Sequence, residues 1–155
     1  MSGLFTDDQM AVIAYCAEEV RRQQAGSERV ADMLRAWNYA CGVVVNPSLK
    51  CVPGVSDVIT IGKLCEPVKN EAGLRRCGVR VGMDVKMPWE RVPIALAALT
   101  ESWGQMTPDD AYFAYQEIHP FRDGNGRSGK ILRAMLAGEL HAPSWPPNKW
   151  GIENP

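Results

Sequence analysis

Thr107-Pro108-Asp109-Asp110-Ala111-Tyr112-Phe113-Ala114-Tyr115-Gln116-Glu117-Ile118 runs directly into His119-Pro120-Phe121-Arg122-Asp123-Gly124-Asn125-Gly126-Arg127-Ser128-Gly129-Lys130. The first half reads as a helix. Thr107 is a natural N-cap and Pro108 suits the first helical position. Asp109 and Asp110 fall in the first turn, where the helix dipole favours negative charge. Ala111, Ala114, Tyr115 and Ile118 recur at helical spacing and predict a core-facing stripe. Pro120 disfavours helical geometry at His119 and removes an amide donor. The helix is therefore expected to stop with His119 at a helix-to-loop corner. Beyond the loop, Ile131, Leu132, Met135, Leu136 and Leu140 mark a second helix, approached through Gly124, Asn125 and Gly126.

The residues between the two helices have a chemistry in common. Glycines let the backbone take unusual angles and approach a ligand closely. The amides and positive dipole end of a helix N-terminus attract phosphate. Arg127 adds a planar fork suited to phosphate oxygens. Asp123 is a hard oxygen ligand suited to Mg²⁺ shared with phosphates. His119 has the one side chain here whose ordinary pKa suits a general base near neutrality. Each residue alone has an ordinary structural reading: a turn, a cap, a solvated charge. Their order between two helices favours the chemical one, a site that holds a nucleoside triphosphate and activates a hydroxyl against it.

Working outward, Thr6-Asp7-Asp8-Gln9 reads as a capping box opening a helix to about Gln24. Gly26 is expected to end it and Ser27 to cap the next. Val30, Met33, Leu34, Trp37 and Cys41 stripe one face of that second helix and predict core. Residues 42 to 69 show no clean helical period and read as connecting loops with one short helix. Cys77-Gly78-Val79-Arg80-Val81-Gly82 and the segment to Pro88 alternate around a glycine, which predicts a short hairpin. Pro88 through Leu99 reads as a further helix. The aromatic, proline-rich tail Pro143-Ser144-Trp145-Pro146-Pro147-Asn148-Lys149-Trp150-Gly151 is expected to pack back on the helices.

The 155 residues fit one domain, 1–155, with a real core. Seventeen basic and 18 acidic residues give a formal net charge of -1, which suggests neither a nucleic-acid surface nor a membrane face. No apolar run is long enough to span a bilayer. The five cysteines are odd in number and lack Cys-x-x-Cys spacing, and His119 and His141 are the only histidines. A zinc site is not expected, and reduced thiols in a cytoplasmic protein are the simplest account.

The loop resembles the signature of the Fic/Doc family, His-Pro-Phe-x-Asp/Glu-Gly-Asn-Gly-Arg-x-x-Arg. Every defined position matches except the last, where Lys130 replaces arginine. The resemblance implies an all-α fold, a compact helical bundle with a small β-hairpin flap at about 77–88 beside the motif loop 119–130. It implies transfer of AMP from ATP to a Ser, Thr or Tyr hydroxyl of a target protein, with Mg²⁺. By it, His119 is the base, Phe121 a buried anchor, and Asp123 the metal ligand. Gly124, Asn125 and Gly126 form the anion hole, Arg127 and Lys130 hold nucleotide phosphates, and Val79, Val81 and Val85 of the flap position the target. A Doc-type kinase is the alternative, although that branch has Ala-Asn-Lys where this chain has Gly124-Asn125-Gly126. A nucleotide-binding regulatory protein with little turnover is the other, and Lys130 is its hint. Some relatives carry a self-inhibitory motif, Ser/Thr-x-x-x-Glu-Gly/Asn. This chain lacks it, since Lys149 stands before Glu153-Asn154 where Ser or Thr is required. Arg127 is therefore expected to be unpaired, and restraint, if any, to come from a separate antitoxin.

Overall fold

A computed structural model describes residues 4–148. Six α-helices are formed: α1 (Asp7–Arg22), α2 (Arg29–Val43), α3 (Val55–Cys65), α4 (Val92–Ser102), α5 (Pro108–Ile118) and α6 (Asn125–Ala137). Strands β1 (Arg80–Val81) and β2 (Asp84–Val85) form one antiparallel hairpin, pairing Arg80 with Val85 and Val81 with Asp84. The fold is all-α with a small hairpin. No helix of the described residues is long and apolar enough to cross a membrane.

The caps show why the helices start where they do. Thr6 and Gln9 make the reciprocal capping box at α1, and the Thr107 hydroxyl accepts from the Asp110 amide at α5. The α1–α2 corner departs from expectation. Gln24 carries the positive φ there (55°), and Glu28, not Ser27, stands at the α2 N-cap without a side-chain capping bond. Pro88 likewise does not open α4 directly. A single 3₁₀ turn, Trp89–Arg91, intervenes.

Helix α6 is the axis of the bundle, packed by α1, α2, α3 and α5. Its apolar residues Ile131, Leu132, Ala134 and Met135 are buried, and so are its polar ones, Arg127, Ser128 and Lys130. The stripe on α2 behaves as expected: Met33 and Trp37 are fully buried, and Val30, Leu34 and Cys41 pack against the core. The indole of Trp37 donates to the Leu140 carbonyl (3.0 Å), and that of Trp103 to the Pro53 carbonyl (3.1 Å). The tail returns to α1. Trp145 stacks on Tyr15 at 4.0 Å and lies under the Arg22 guanidinium, while the Tyr15 hydroxyl donates to the Ser144 carbonyl. Lys149, Trp150, Gly151 and the Glu153-Asn154 pair lie outside the described residues.

Phe121 is fully buried, and its ring lies against Gly62 of α3, where an added Cβ would come within 2.1 Å of it. Gly62→Ala is therefore expected to overpack this contact and lower stability by about 1–3 kcal/mol. Chemical denaturation of the two proteins measures it, and an unchanged midpoint would mean the ring moves aside without cost.

Candidate functional site

The two helices flanking the motif bring its residues together. His119 is the C-cap of α5 and adopts the left-handed conformation (φ 52°, ψ 64°), which turns the chain sharply into the loop. Gly124 is the N-cap of α6, also left-handed (φ 75°), a conformation that a side chain would strain. Asn125 closes the turn between them. Its carboxamide accepts from the Phe121 amide and donates to the Phe121 carbonyl, both at 2.9 Å, as a strand partner would. The Asn125 side chain is thus spent on the loop. The amides of Asn125, Gly126 and Arg127 open α6 and have no helical carbonyl before them.

These groups line one cavity of about 730 Å³. Its walls include His119, Asp123, Gly124, Asn125, Gly126 and Arg127 from the motif, Val81, Asp84 and Lys86 from the hairpin segment, Glu66 and Lys69 beyond α3, and Gln23 through Gly26 with Arg29 at the α1–α2 corner. Gly126 allows the corner to approach: an added Cβ would lie 2.8 Å from Nε2 of the Gln23 side chain. Of the expected flap residues, Val81 reaches the cavity. Val79 accepts the Lys86 amide through its carbonyl, and Val85 is exposed.

Arg127 is not unpaired as expected. Its Nη2 donates to Glu66 Oε2 at 2.7 Å and its Nη1 to the Cys65 carbonyl at 3.3 Å. The glutamate comes from the end of α3, outside any inhibitory motif. Its partner is chosen by packing, because α3 and α6 cross at this point. The Nε of Arg127 is buried without a hydrogen-bond partner among the described residues. Lys130 lies one turn further into the bundle and is not among the residues lining the cavity. Its ammonium is fully buried against Glu19 (2.9 Å) and the Tyr112 hydroxyl (3.0 Å). A buried pair of this kind costs several kcal/mol if one partner is removed.

Asp123 is half exposed and held in place by two donors, its own Gly124 amide (2.8 Å) and Lys69 Nζ (2.6 Å). Burial alone would raise its pKa. The hydrogen bonds from Lys69 and the Gly124 amide, with the Arg127 charge, outweigh that and hold it below the usual value. The sequence gives no local signal for Glu66, Lys69, Glu19 or Arg29, which meet the motif only through the fold. Among the described residues no group of three or more His, Cys, Asp or Glu side chains is placed so that it could hold a metal ion.

Compared with models of known protein families and with curated proteins, the chain matches none.

Burial pulls the His119 pKa down from 6.5 to about 4, helped by the Lys86 and Arg75 charges and opposed by the Gln116 carbonyl and Asp123. The imidazole is neutral at pH 7. Its Nδ1 lies 3.4 Å from the Gln116 carbonyl, an obligate acceptor, which favours the proton on Nδ1 and leaves Nε2 as the lone-pair nitrogen. Between pH 6.5 and about 4 the unfolded chain binds this proton and the folded chain does not, so stability falls as pH drops through that window. Imidazole NMR should show His119 titrating well below 6.5. A His119 midpoint near 6.5 would mean the ring is solvated in solution.

Proposed function

We propose that the protein transfers AMP from ATP to a hydroxyl side chain of a target protein, as members of the Fic/Doc family do. The observation that carries this reading is the convergence of a neutral His119 and the first residues of α6 on one cavity. A triphosphate seated with its phosphates on the amides of Asn125, Gly126 and Arg127 gains the helix dipole and the Arg127 guanidinium. The target hydroxyl gives its proton to His119 Nε2. Its oxygen attacks the α-phosphorus, and pyrophosphate departs in line. Val81 and the exposed backbone of β2 would hold the target segment beside that oxygen.

The residues present fit a divalent cation shared with phosphate. Asp123 would hold Mg²⁺, since its carboxylate is half exposed and its Lys69 contact is exchangeable; the other ligands would be phosphate oxygens and water. Bound there, Mg²⁺ supplies charge neutralisation on the departing pyrophosphate. Asp123→Ala is expected to abolish the Mg²⁺ dependence of nucleotide binding together with activity. A Mg²⁺ titration of both proteins decides it, and an unchanged metal response in the variant would move the ligand elsewhere.

A second reading, a nucleotide-binding protein with little turnover, is favoured by one observation: glutamates already pair with Arg127 and Lys130. Incubation of the protein and cell lysate with ATP labelled at the α- or γ-phosphate separates the readings. Label from α supports adenylylation, label from γ a kinase, and nucleotide binding without label the second reading.

A further inference from the structure

Behind the motif loop lies a second cavity of about 690 Å³. Four cations line it, Lys69, Arg75, Arg76 and Arg122, against one acid, Glu71. In a chain of net charge -1 this is a local excess of positive charge. Arg75 is buried and forms the rigid wall, while Arg76, Arg122 and Lys69 are exposed, Lys69 with its ammonium on Asp123. No aromatic side chain lines the cavity, so nothing offers the stacking surface that single-stranded nucleic acid uses. Cys77, three residues before the hairpin edge β1 begins, also lines the cavity. An extended peptide lying along that edge would enter it directly.

We propose that this second cavity docks an acidic segment of a partner protein, its carboxylates meeting Arg76 and Arg122. Lys69 lines both cavities, and its ammonium now sits on Asp123. Carboxylates arriving on the far side compete for that ammonium. Drawing Lys69 away uncovers Asp123 Oδ2 for a cation, so docking lowers the Mg²⁺ needed for ATP binding. Docking stands independently of the proposed function, whereas this coupling rests on it.

The test uses the whole chain and a fluorescein-labelled hexaglutamate peptide, followed by anisotropy. Saturable binding is expected at about 0.01 M salt, weakening at about 0.15 M as the charges are screened. The double variant Arg76→Glu/Arg122→Glu should weaken it by about tenfold or more, because like charges then face each other. The variant Lys50→Glu/Arg91→Glu changes the net charge equally at exposed positions outside the cavity and should bind as the parent does. Circular dichroism checks that both remain folded. Equal loss in both variants, no saturable binding, or stronger binding by a labelled hexanucleotide would overturn docking. ATP binding titrated with Mg²⁺, with and without peptide, reads the coupling, and the Arg76→Glu/Arg122→Glu protein controls for chelation by the peptide. Peptide binding with an unmoved Mg²⁺ requirement supports docking and overturns the coupling. Peptide binding with no ATP binding under any condition also supports docking but overturns the coupling together with the proposed function.

Discussion

His119→Asn is expected to slow target labelling by about 10²–10⁴-fold, the usual cost of losing a general base. Asparagine is the informative substitution because residue 119 is left-handed, a conformation it tolerates better than alanine does. The fold should therefore survive, and ATP affinity should change little, since in the proposed pose the phosphates would rest on α6 amides that the substitution does not touch. The parent rate should be nearly flat from pH 6 to 8, because a group with a pKa of about 4 is already unprotonated throughout. Quantifying α-labelled product for both proteins is the measurement. Labelling by the variant at the parent rate would remove His119 from the mechanism.

Arg75→Ala is expected to destabilise the protein by about 3 kcal/mol or more and to disturb the site with it. Arg75 is 2% exposed and donates to four backbone carbonyls: His119 (2.7 Å), Ile118 (3.3 Å), Cys77 (2.9 Å) and Met87 (2.7 Å). Its own amide donates to the Pro120 carbonyl at 2.9 Å. One side chain thus joins the end of α5, the turn at His119, and both ends of the hairpin segment. Truncation leaves these carbonyls without their charged donor. Urea denaturation reads the stability, and the His119 imidazole resonances read the local effect. Arg75→Lys restores charge without the fork and should recover little. Full stability in Arg75→Ala would show that the carbonyls are satisfied by water instead.

The first part of the site was legible in the sequence because its signals are local. Thr107, Pro108, Pro120 and the glycines act through the backbone of their own neighbours, and α5, the turn at His119 and the start of α6 follow from them. The capping box at Thr6 and the stripe on α2 were legible for the same reason. The Ser27 cap failed because Gln24 reverses the chain earlier and Glu28 stands nearest α2. The role of Asn125 was legible only in part. A carboxamide between glycines signals a ligand loop, but its use as a clamp on Phe121 depends on how the loop closes.

By itself the sequence determined that this protein is a helical chain in which a histidine, a carboxylate and a glycine-rich helix N-terminus adjoin one another within a few residues. Backbone propensity and chain continuity suffice for that. Only the tertiary structure decided what meets the cations. Glu66 and Glu19 lie 61 and 111 positions from Arg127 and Lys130, a separation over which helical periodicity predicts a face but not a partner. The polar residues of α6 were expected to be near a ligand, and they are buried because α1, α2, α3 and α5 surround that helix. A charge so enclosed must be paired, and the pairing partners are whichever acids the neighbouring helices carry to that depth.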